Sequence, residues 1–564
     1  MSAMMQSRAM ISSFYPLNVP FSMRTTSIES ADDSQSTQLR ESGQRRSSCD
    51  KWNSMVYRFG VNQAVLLSLS LLSALPTASP GSDPLEAPAK LNVLTIFVDD
   101  LRPALGCYGD RLAKSPHIDR FAATARLFRR AYCNQSVCGP SRASILTGRL
   151  PDNTGVWHNR NRFRAVHPHL VTLPQLFKDN GWHAQALGKV FSGNERELDP
   201  ASWSAPEILR KHDWSNYVLR DDDGRKKGAP IEQADVSDDG YTDGKLASLA
   251  IETLAELKRR SQPFFLAVGF FKPHLPFNAP KKYWDLHDPT AFALEGHLQR
   301  TRGAPPMAYP DHLELGGYQG IPDDERVSPQ QARELRHGYY ACVSYVDAQI
   351  GRLLRALKAQ GLEDNTIVVL LGDHGYSLGE ADHWCKDTNF ELDTRVPLMI
   401  RTPGMKQPGV ATEAFAEYVD LYPTLAGLAQ LTPPSNLDGR SLAPTLDDPT
   451  AKGRDLVLSQ FSRPFSRGNP EIMGYSIRTD THRYTRWIDW NTRKALAEEL
   501  YDYTAEASVR IQGGYLIERR NVVNEPSHAA KRDSFRQRMN EVIAARLKPV
   551  TLGVPARNLE NKKK

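Results

Sequence analysis

Three nearly unbroken apolar runs stand out in the alternation of hydrophobic and polar positions along the chain. They are LNVLTIFV (91–98), PFFLAVGF (263–270) and TIVVLLG (366–372). Runs of this length are typical of β-strands that are covered on both faces, as in a parallel sheet. The pattern therefore predicts three buried strands.

Amphipathic stretches with a helical period lie between these runs. They are IDRFAATARLF (118–128), YTDGKLASLAIETLAELKRR (241–260) and YYACVSYVDAQIGRLLRALKAQG (339–361). Parallel strands need crossover connections, which are usually helices, so this alternation indicates an α/β fold with a largely parallel sheet flanked by helices.

The pattern changes after PPSNLDGRSLAPTLDDP (433–449). The segments YSIRTDTHRYTRWIDW (475–490) and EELYDY (498–503) alternate apolar with polar residues and are rich in aromatics. Such alternation is typical of antiparallel strands with one exposed face. We expect a catalytic domain over 91–449 and a smaller α+β subdomain with an antiparallel sheet over 450–564.

The amino-terminal part has the features of an export signal. The stretch VNQAVLLSLSLLSALPTAS (61–79) is apolar, ends in small residues and is preceded by Arg58. We interpret 1–78 as a leader with a signal peptide cleaved near Ala78, and 79–90 as a Pro-rich linker. Met55 is a candidate true start. The alternative for 61–79 is a buried or membrane-anchoring helix, but the run is short for a span and we expect no stable membrane insertion.

Charge and cysteine content exclude several classes of protein. The net charge of +6 over 564 residues is too small for a nucleic-acid-binding footprint, although the chain has a short basic tail, NKKK (561–564). Six cysteines are too few for a disulfide-dense scaffold, and no zinc-type spacing occurs. One or two disulfide bridges remain open.

Candidate chemistry follows the predicted strands. Asp99 and Asp100 come after the first run, His274 after the second, and Asp373 with His374 after the third. The carboxyl ends of parallel strands meet at one edge of a sheet, where ligands bind in α/β folds. Three carboxylates and an imidazole there can bind a hard divalent cation. Each pair alone would more often be a turn or a helix cap.

Cys138 lies in SVCGPSRASILTG (136–148), just ahead of a predicted helix. A thiol at a helix start near Arg142 is expected to have a lowered pKa and to act as a nucleophile. The alternatives are an inert buried thiol, half of a disulfide, or a residue that is converted into another group.

The segment CGPSRASILTGR (138–149) resembles the sulfatase signature, in which C-x-P-S-R is followed by L-T-G-R. The resemblance extends to NVLTIFVDDLRPALGCYGD (92–110), PFFLAVGFFKPHLPF (263–277) and DHGYSLGEADHWCKDTNFE (373–391), and is strongest to the iduronate-2-sulfatase branch. It implies an alkaline-phosphatase-like core and hydrolysis of sulfate esters. From the signal peptide we expect the protein to be exported, to the periplasm, the extracellular space or a lysosome-like compartment.

The resemblance also implies a modified residue and a metal site. In sulfatases a formylglycine-generating enzyme oxidises the signature cysteine, here Cys138, to formylglycine (3-oxoalanine), whose hydrate is the nucleophile. The implied metal ligands are Asp99, Asp100, Asp373 and His374, joined by the modified Cys138. The implied ion is one Ca²⁺ per chain, in preference to Mg²⁺.

Four further residues take roles by the same resemblance. Arg142 would stabilise the formylglycine hydrate, and Lys189, His274 and Lys386 would face the sulfate. A cation and two lysines would neutralise the sulfate oxygens, and a protonated His274 would supply a proton to the leaving oxygen. One position departs from the family: GKVFSG (188–193) has Ser192 where the related branch has a histidine thought to assist sulfate release.

Three functions follow from these features. The leading one is hydrolysis of sulfate esters on a sulfated glycan that contains uronic acid, or on a related polysaccharide. The second is phosphonate or phosphate ester hydrolysis on the same fold. The third is binding of a sulfated glycan without efficient catalysis, because of Ser192.

Overall fold

The computed structural model describes residues 90–192, 199–208, 217–219, 227–292, 299–465, 469–504, 508–510 and 515–548. All of them belong to one compact unit, Pro84–Lys564. The predicted signal peptide, the linker up to residue 89 and the basic tail lie outside the described residues.

The strands and helices are numbered in chain order. The strands are β1 (Asn92–Val98), β2 (Arg126–Tyr132), β3 (His183–Gly188), β4 (Ile231–Ala234), β5 (Phe264–Phe270), β6 (Phe277–Pro280), β7 (Thr366–Gly372), β8 (Ser377–Leu378), β9 (Trp384–Cys385), β10 (Arg395–Arg401), β11 (Thr412–Glu417), β12 (Val457–Arg463), β13 (Ile472–Arg478), β14 (His482–Asp489), β15 (Ala495–Asp502), β16 (Ser508–Arg510) and β17 (Leu516–Glu518). The helices are α1 (Pro116–Ala122), α2 (Cys138–Thr147), α3 (Pro151–Thr154), α4 (Phe163–Val166), α5 (Leu173–Asp179), α6 (Thr242–Arg259), α7 (Lys281–Trp284), α8 (Pro329–Ala359), α9 (Glu391–Thr394), α10 (Leu421–Leu428), α11 (Ala443–Asp447) and α12 (Ala529–Arg546).

The main sheet has seven strands in the order β11–β2–β10–β7–β1–β5–β3. The central strand β1 pairs in parallel with β5 and β7, and the pairs β3–β5 and β11–β2 are also parallel. Only β10 runs antiparallel to both of its neighbours. The predicted α/β fold with a largely parallel sheet is confirmed, and the three apolar runs form β1, β5 and β7.

Helices cover both faces of this sheet. Leu94 and Ile96 of β1 pack on one face in a core that includes side chains of α6 and α8. Val93 and Phe97 point to the other face, in a core with side chains of α2, α5 and α10. Successive side chains of a strand point to opposite faces, so a run that is apolar at almost every position is buried on both sides.

The helix predicted over 118–128 is only partly correct. Helix α1 ends at Ala122, and residues from Arg126 onward form β2, which lies between β10 and β11. Leu127 and Phe128 are buried in the cores on opposite faces of the sheet. Burial on both faces outweighs the local helical period here. The other two predicted helices are confirmed as α6 and α8, and α8 begins ten residues earlier than predicted.

A second, four-stranded sheet lies near the carboxyl end of the chain. Strands β12, β13, β14 and β15 pair antiparallel in sequence order. Phe535 and Met539 of α12 share one core with Tyr475 and Tyr484 of this sheet. The predicted antiparallel sheet is confirmed, and the domain boundary near residue 450 stays a prediction.

Two questions raised by the sequence concern cysteines and the membrane. Among the described residues Cys107, Cys133, Cys138, Cys342 and Cys385 are all free thiols. In the same part of the chain, none of the helices combines the length and the apolar character that a membrane span requires.

A buried ion pair ties the segment after β1 to the segment after β8. Arg102 donates to Glu380 at 2.9 Å, and the two side chains are 1% and 2% exposed. Burial alone would raise the pKa of Glu380, but Arg102 and Arg336 hold that pKa at about 2. Removing one partner of a buried pair leaves an uncompensated charge.

We expect Glu380→Gln to lower the free energy of unfolding by about 3 kcal/mol at neutral pH, because Arg102 loses its buried partner. The pKa of Glu380 is lower in the folded protein than in the unfolded chain, so the ion pair stabilises the fold fully at pH values above the ordinary carboxyl pKa. This stabilisation is lost as pH falls from about 4.5 towards about 2. Urea denaturation of both proteins across this range measures the difference.

The control is Glu413→Gln, which removes a 67% exposed carboxylate 3.3 Å from Arg129 and should cost less than about 1 kcal/mol. A difference between wild type and Glu380→Gln that stays constant down to pH 2 would contradict this account.

Candidate active site

The candidate site is built where β1, β5 and β7 end at the same level. Val98 of β1 lies beside Phe270 of β5 and Gly372 of β7. The amide of Asp99 donates to the carbonyl of Phe270 at 3.2 Å, and the amide of Asp373 donates to the carbonyl of Val98 at 3.1 Å. These backbone bonds place the residues after β1 and β7 side by side.

Strand β3 brings Lys189 to the same edge. Lys189 follows the last residue of β3, and its amide donates to the carbonyl of Gly269 in β5 at 2.8 Å. A side chain at Gly269 would overlap the carbonyl oxygen of Lys189. Glycine at this position therefore allows the close approach that directs Lys189 towards Asp99, whose carboxylate accepts from its Nζ at 2.5 Å.

Cys138 is the first residue of α2 and is buried at the centre of the site. Its Sγ lies 3.3 Å from His374 Nε2, 3.5 Å from Asp99 Oδ1, 3.6 Å from Lys189 Nζ and 4.0 Å from Lys386 Nζ. Residues from four separate segments of the chain thus meet around one sulfur atom.

Arg142, one turn further along α2, connects the ends of β1 and β7. Its guanidinium donates to Asp99 Oδ1 and to Asp373 Oδ2, each at 2.9 Å. It also donates to the backbone carbonyl of Lys189. Because Arg142 is fully buried and its charge is matched by two carboxylates, it fixes their relative position.

Lys386 reaches the site from the segment after β9. Its Nζ donates to both oxygens of Asp100, at 2.8 and 3.0 Å. Lys189 on Asp99 and Lys386 on Asp100 therefore form two buried charge pairs beside Cys138. Both lysines have a pKa above the usual value, because the nearby carboxylates outweigh the effect of burial.

The two adjacent aspartates differ in their electrostatics. Burial would raise the pKa of Asp99, but Lys189 and Arg142 hold it well below its usual value. Burial raises the pKa of Asp100 well above its usual value, and the neighbouring carboxylates add to that rise. The negative charge of Asp99 is therefore compensated by its neighbours, whereas that of Asp100 is compensated less. A cation bound beside Asp100 would supply the missing positive charge.

His374 presents one ring nitrogen to the cluster. Its Nδ1 lies 2.9 Å from the Gly375 carbonyl, which requires an N–H at that atom, so Nε2 is left as the electron-pair donor. Nε2 lies 3.2 Å from Asp100 Oδ1. Burial and Lys386 lower the pKa of this imidazole, although Asp373 raises it.

The donor set fits a divalent cation. One donor atom each from Asp99, Asp100, Cys138 and His374 lies within 4.8 Å of every other. Carboxylate oxygens suit a hard cation, whereas a sulfur donor does not, so the fit improves if an oxygen replaces Sγ at position 138. Asp373 lies at the border of the set, with Oδ2 3.6 Å from His374 Nε2, and its role as a ligand stays a prediction.

Burial raises the pKa of the Cys138 thiol well above its usual value, and Asp99 adds to that effect. The expectation of a lowered pKa at a helix start is therefore wrong here. The charges of Arg142 and Lys189 are directed at carboxylates, so they do not stabilise a thiolate enough. A protonated buried thiol is a poor nucleophile.

His274 is fixed by its own loop. Lys272 is buried and donates to the carbonyls of His274 and Pro276, at 2.8 and 2.5 Å. The His274 Nδ1 lies 2.6 Å from the Leu275 carbonyl, so Nε2 faces the site, 3.9 Å from Asp100. Burial, Lys386 and Lys189 lower the pKa of His274 to about 3, so the imidazole of the free protein is neutral.

The structure brings together all nine residues predicted for the site: Asp99, Asp100, Cys138, Arg142, Lys189, His274, Asp373, His374 and Lys386. Ser192, the position that departs from the related branch, lies three residues after Lys189 and is half-buried. The roles of these residues stay predictions.

Glu314 is a site residue that the sequence analysis missed. Its carboxylate lies 3.3 Å from His274 Nε2 and 3.2 Å from Lys386 Nζ. It comes from the irregular segment YPDHLELGG (309–317), which carries no catalytic motif and no strand end. Only the packing of that segment against the site reveals it.

Comparison with known families decides the class of this protein. The profile described as Sulfatase matches residues 91–431, more than half of the chain. The chain belongs to the sulfatase family. It is accordingly a sulfuric ester hydrolase. The profile described as the C-terminal part of N-sulphoglucosamine sulphohydrolase matches residues 379–545 of this sulfatase.

Two relatives agree with this assignment, and a solved structure shares the fold. Mouse iduronate 2-sulfatase is 34% identical to this sulfatase over 554 residues, covering 84% of this chain and 97% of its own. Human iduronate 2-sulfatase is 35% identical over 483 residues, covering 72% of this chain and 86% of its own. A phosphonate monoester hydrolase from Silicibacter pomeroyi has a TM-score of 0.66 at 25% identity, covering 82% of this chain and 97% of its own.

We expect the unmodified Cys138 thiol of this sulfatase to resist alkylation in the folded state, because it is buried and its pKa is raised. Iodoacetamide at pH 8, followed by peptide mass mapping, measures this. Protein made without a modifying enzyme should be alkylated at Cys138 only after denaturation in urea. Rapid alkylation of the folded protein at Cys138 would instead favour a reactive thiol nucleophile.

Proposed function

We propose that this sulfatase hydrolyses sulfate esters on a glycan that contains uronic acid, through a formylglycine made from Cys138 and with one bound divalent cation, Ca²⁺ in preference to Mg²⁺. The observation that carries the proposal is the position of Cys138. Cys138 is the first residue of α2, and its Sγ lies next to a carboxylate, a histidine and two lysines.

Modification at position 138 supports the sulfate chemistry better than a thiol does. The hydrated aldehyde supplies one hydroxyl that attacks sulfur and a second whose deprotonation releases sulfate and restores the aldehyde. The residues around Sγ are arranged to orient such a group, because Lys189 and His374 approach it from different segments.

Asp99, Asp100, His374 and the modified residue at position 138 would hold the cation, with Asp373 as a further expected ligand. A cation there supplies positive charge to the non-bridging oxygens of the sulfate. Arg142 holds Asp99 and Asp373 in place throughout, because it contacts both carboxylates directly.

Lys189 and Lys386 are proposed to bind the sulfate oxygens. In the free protein they donate to Asp99 and Asp100. A cation held by those carboxylates would leave the ammonium groups available for an anionic ester.

His274 is proposed to donate a proton to the leaving oxygen. Its imidazole is neutral in the free protein, because burial and the two lysines lower its pKa to about 3. A bound sulfate ester adds negative charge beside those lysines and so favours protonation of Nε2. The imidazole is already oriented by the Leu275 carbonyl at Nδ1.

The substrate class rests on relatives, and the compartment on the amino-terminal sequence. Mouse and human iduronate 2-sulfatase act by name on iduronate 2-sulfate, so a sulfated uronic-acid glycan is the proposed substrate class. The apolar stretch at 61–79 supports export, with cleavage near Ala78, and a formylglycine-generating enzyme is the proposed partner during maturation.

We expect protein co-expressed with a formylglycine-generating enzyme to release sulfate from 4-nitrophenyl sulfate and from 2-O-sulfated uronic-acid disaccharides. Peptide mass should first show a loss of about 18 Da at Cys138, the difference between a thiol and an aldehyde. Cys138→Ala should abolish release, whereas Cys342→Ala, at another buried cysteine, should not.

Parallel assays on 4-nitrophenyl phosphate and a phenylphosphonate monoester test the second function, which the likeness to the phosphonate monoester hydrolase favours. Faster hydrolysis of these phosphorus esters than of the sulfate ester would reject the proposal. Absence of sulfate release by protein that carries the aldehyde would also reject it.

We expect Ca²⁺ to raise the thermal unfolding midpoint, because an ion that binds only the folded state at a hundred times its Kd adds about 2.7 kcal/mol. Differential scanning calorimetry with and without Ca²⁺ measures the shift, and Mg²⁺ should give a smaller one. Asp100→Asn should remove most of it, whereas Asp480→Asn, at a carboxylate that is 73% exposed, should retain it. Equal shifts in both variants would argue against a cation at Asp100.

A further inference from the structure

Glu314 joins two groups that the proposed function uses at opposite sides of the scissile bond. Its Oε1 lies 3.3 Å from His274 Nε2, and its Oε2 lies 3.2 Å from Lys386 Nζ. One carboxylate thus contacts the imidazole assigned to the leaving oxygen and the ammonium assigned to the sulfate.

The segment that carries Glu314 is itself fixed. The backbone carbonyl of Glu314 accepts from Lys227 Nζ at 3.0 Å. Two residues later, the amide of Gly316 donates to Glu325 Oε1 at 3.0 Å. The Glu314 side chain is only 11% exposed, so its carboxylate is directed into the protein and towards the site.

The charge of Glu314 is maintained in this position. Burial would raise its pKa, but Lys386 and Lys227 keep it below its usual value. Glu314 is therefore an acceptor only: it accepts an N–H from Lys386 Nζ in the free protein, and it can accept one from His274 Nε2 only when the imidazole is protonated. A neutral side chain of the same size offers a single acceptor oxygen.

We propose that Glu314 is a positioning residue for ester cleavage: its carboxylate balances the charge of the protonated His274 imidazole that serves the leaving oxygen, and it fixes the ammonium of Lys386 beside the sulfate. This inference rests on the proposed function. Glu314 acts through these two side chains and does not itself react with the ester.

Leaving groups of different basicity distinguish this role from general support of the fold. A basic alkoxide or phenoxide needs a hydrogen bond from a positioned donor, whereas an acidic phenol leaves with little help. Weakening proton donation by His274 should therefore cost more with 4-methoxyphenyl sulfate than with 4-nitrophenyl sulfate. Misplacing Lys386 should raise KM for both esters.

The experiment compares wild type, Glu314→Gln and Glu325→Gln, each carrying the aldehyde at position 138. Glu325→Gln is the matched control, because it removes a carboxylate that lies outside the segment 309–317 but accepts from the Gly316 amide of that segment. For Glu314→Gln we expect kcat with 4-methoxyphenyl sulfate to fall by about 10²-fold, with a loss about ten times smaller for 4-nitrophenyl sulfate. Glu325→Gln should lower kcat by the same factor for 4-methoxyphenyl sulfate and for 4-nitrophenyl sulfate.

Losses in kcat of equal size for the two esters, or no loss for either, would overturn the role of Glu314. If Glu314→Gln does not fold by circular dichroism, Glu314→Asp tests the same point, since it keeps the charge and shortens the reach. It should show the same dependence on the leaving group. Wild-type protein that releases sulfate from neither ester would refute the proposed function itself, which is a different outcome.

Discussion

The site depends on β1 ending level with both of its parallel neighbours. Val98 is in register with Phe270 and with Gly372, and two backbone hydrogen bonds continue that register into Asp99 and Asp373. A shift of one residue would turn these side chains to the other face of the sheet. The apolar side chains that cover β1 on both faces fix the register, so the core of the fold determines the position of the chemistry.

A second constraint is the balance of charge below the surface. The carboxylates at the ends of β1 and β7 are buried together with one guanidinium and two ammonium groups. Arg142 is paired with Asp99 and Asp373, Lys189 with Asp99, and Lys386 with Asp100. Buried ions are tolerated only when such partners and hydrogen bonds replace water. In the free protein Lys189 and Lys386 are paired with Asp99 and Asp100, and the proposed function requires both lysines to take the oxygens of the ester as partners.

Much of this arrangement could be predicted from the sequence, for a physical reason. The buried strands have nearly continuous apolar runs. Asp99 and Asp373 follow β1 and β7 directly, and His274 lies four residues after the end of β5, so the positions of the strand ends are sufficient to group them. Cys138 and Arg142 share one short motif. The prediction fails where local and tertiary preferences conflict, as at 126–128, where residues with a helical period belong to β2. It also fails where electrostatics depends on distant partners, as for the thiol of Cys138. Glu314 belongs to no pattern, since an irregular segment brings it to the site.

The burial of position 138 has a consequence for the order of oxidation and folding. Cys138 is 2% exposed, begins a fully buried helix, and is surrounded by side chains from the ends of three strands. A second protein cannot reach this sulfur without displacing α2 from the core. If Cys138 becomes an aldehyde, the oxidation must precede the closure of the sheet around it, while the chain is still extended. Each molecule would then have a single early opportunity to acquire the aldehyde, before folding buries position 138.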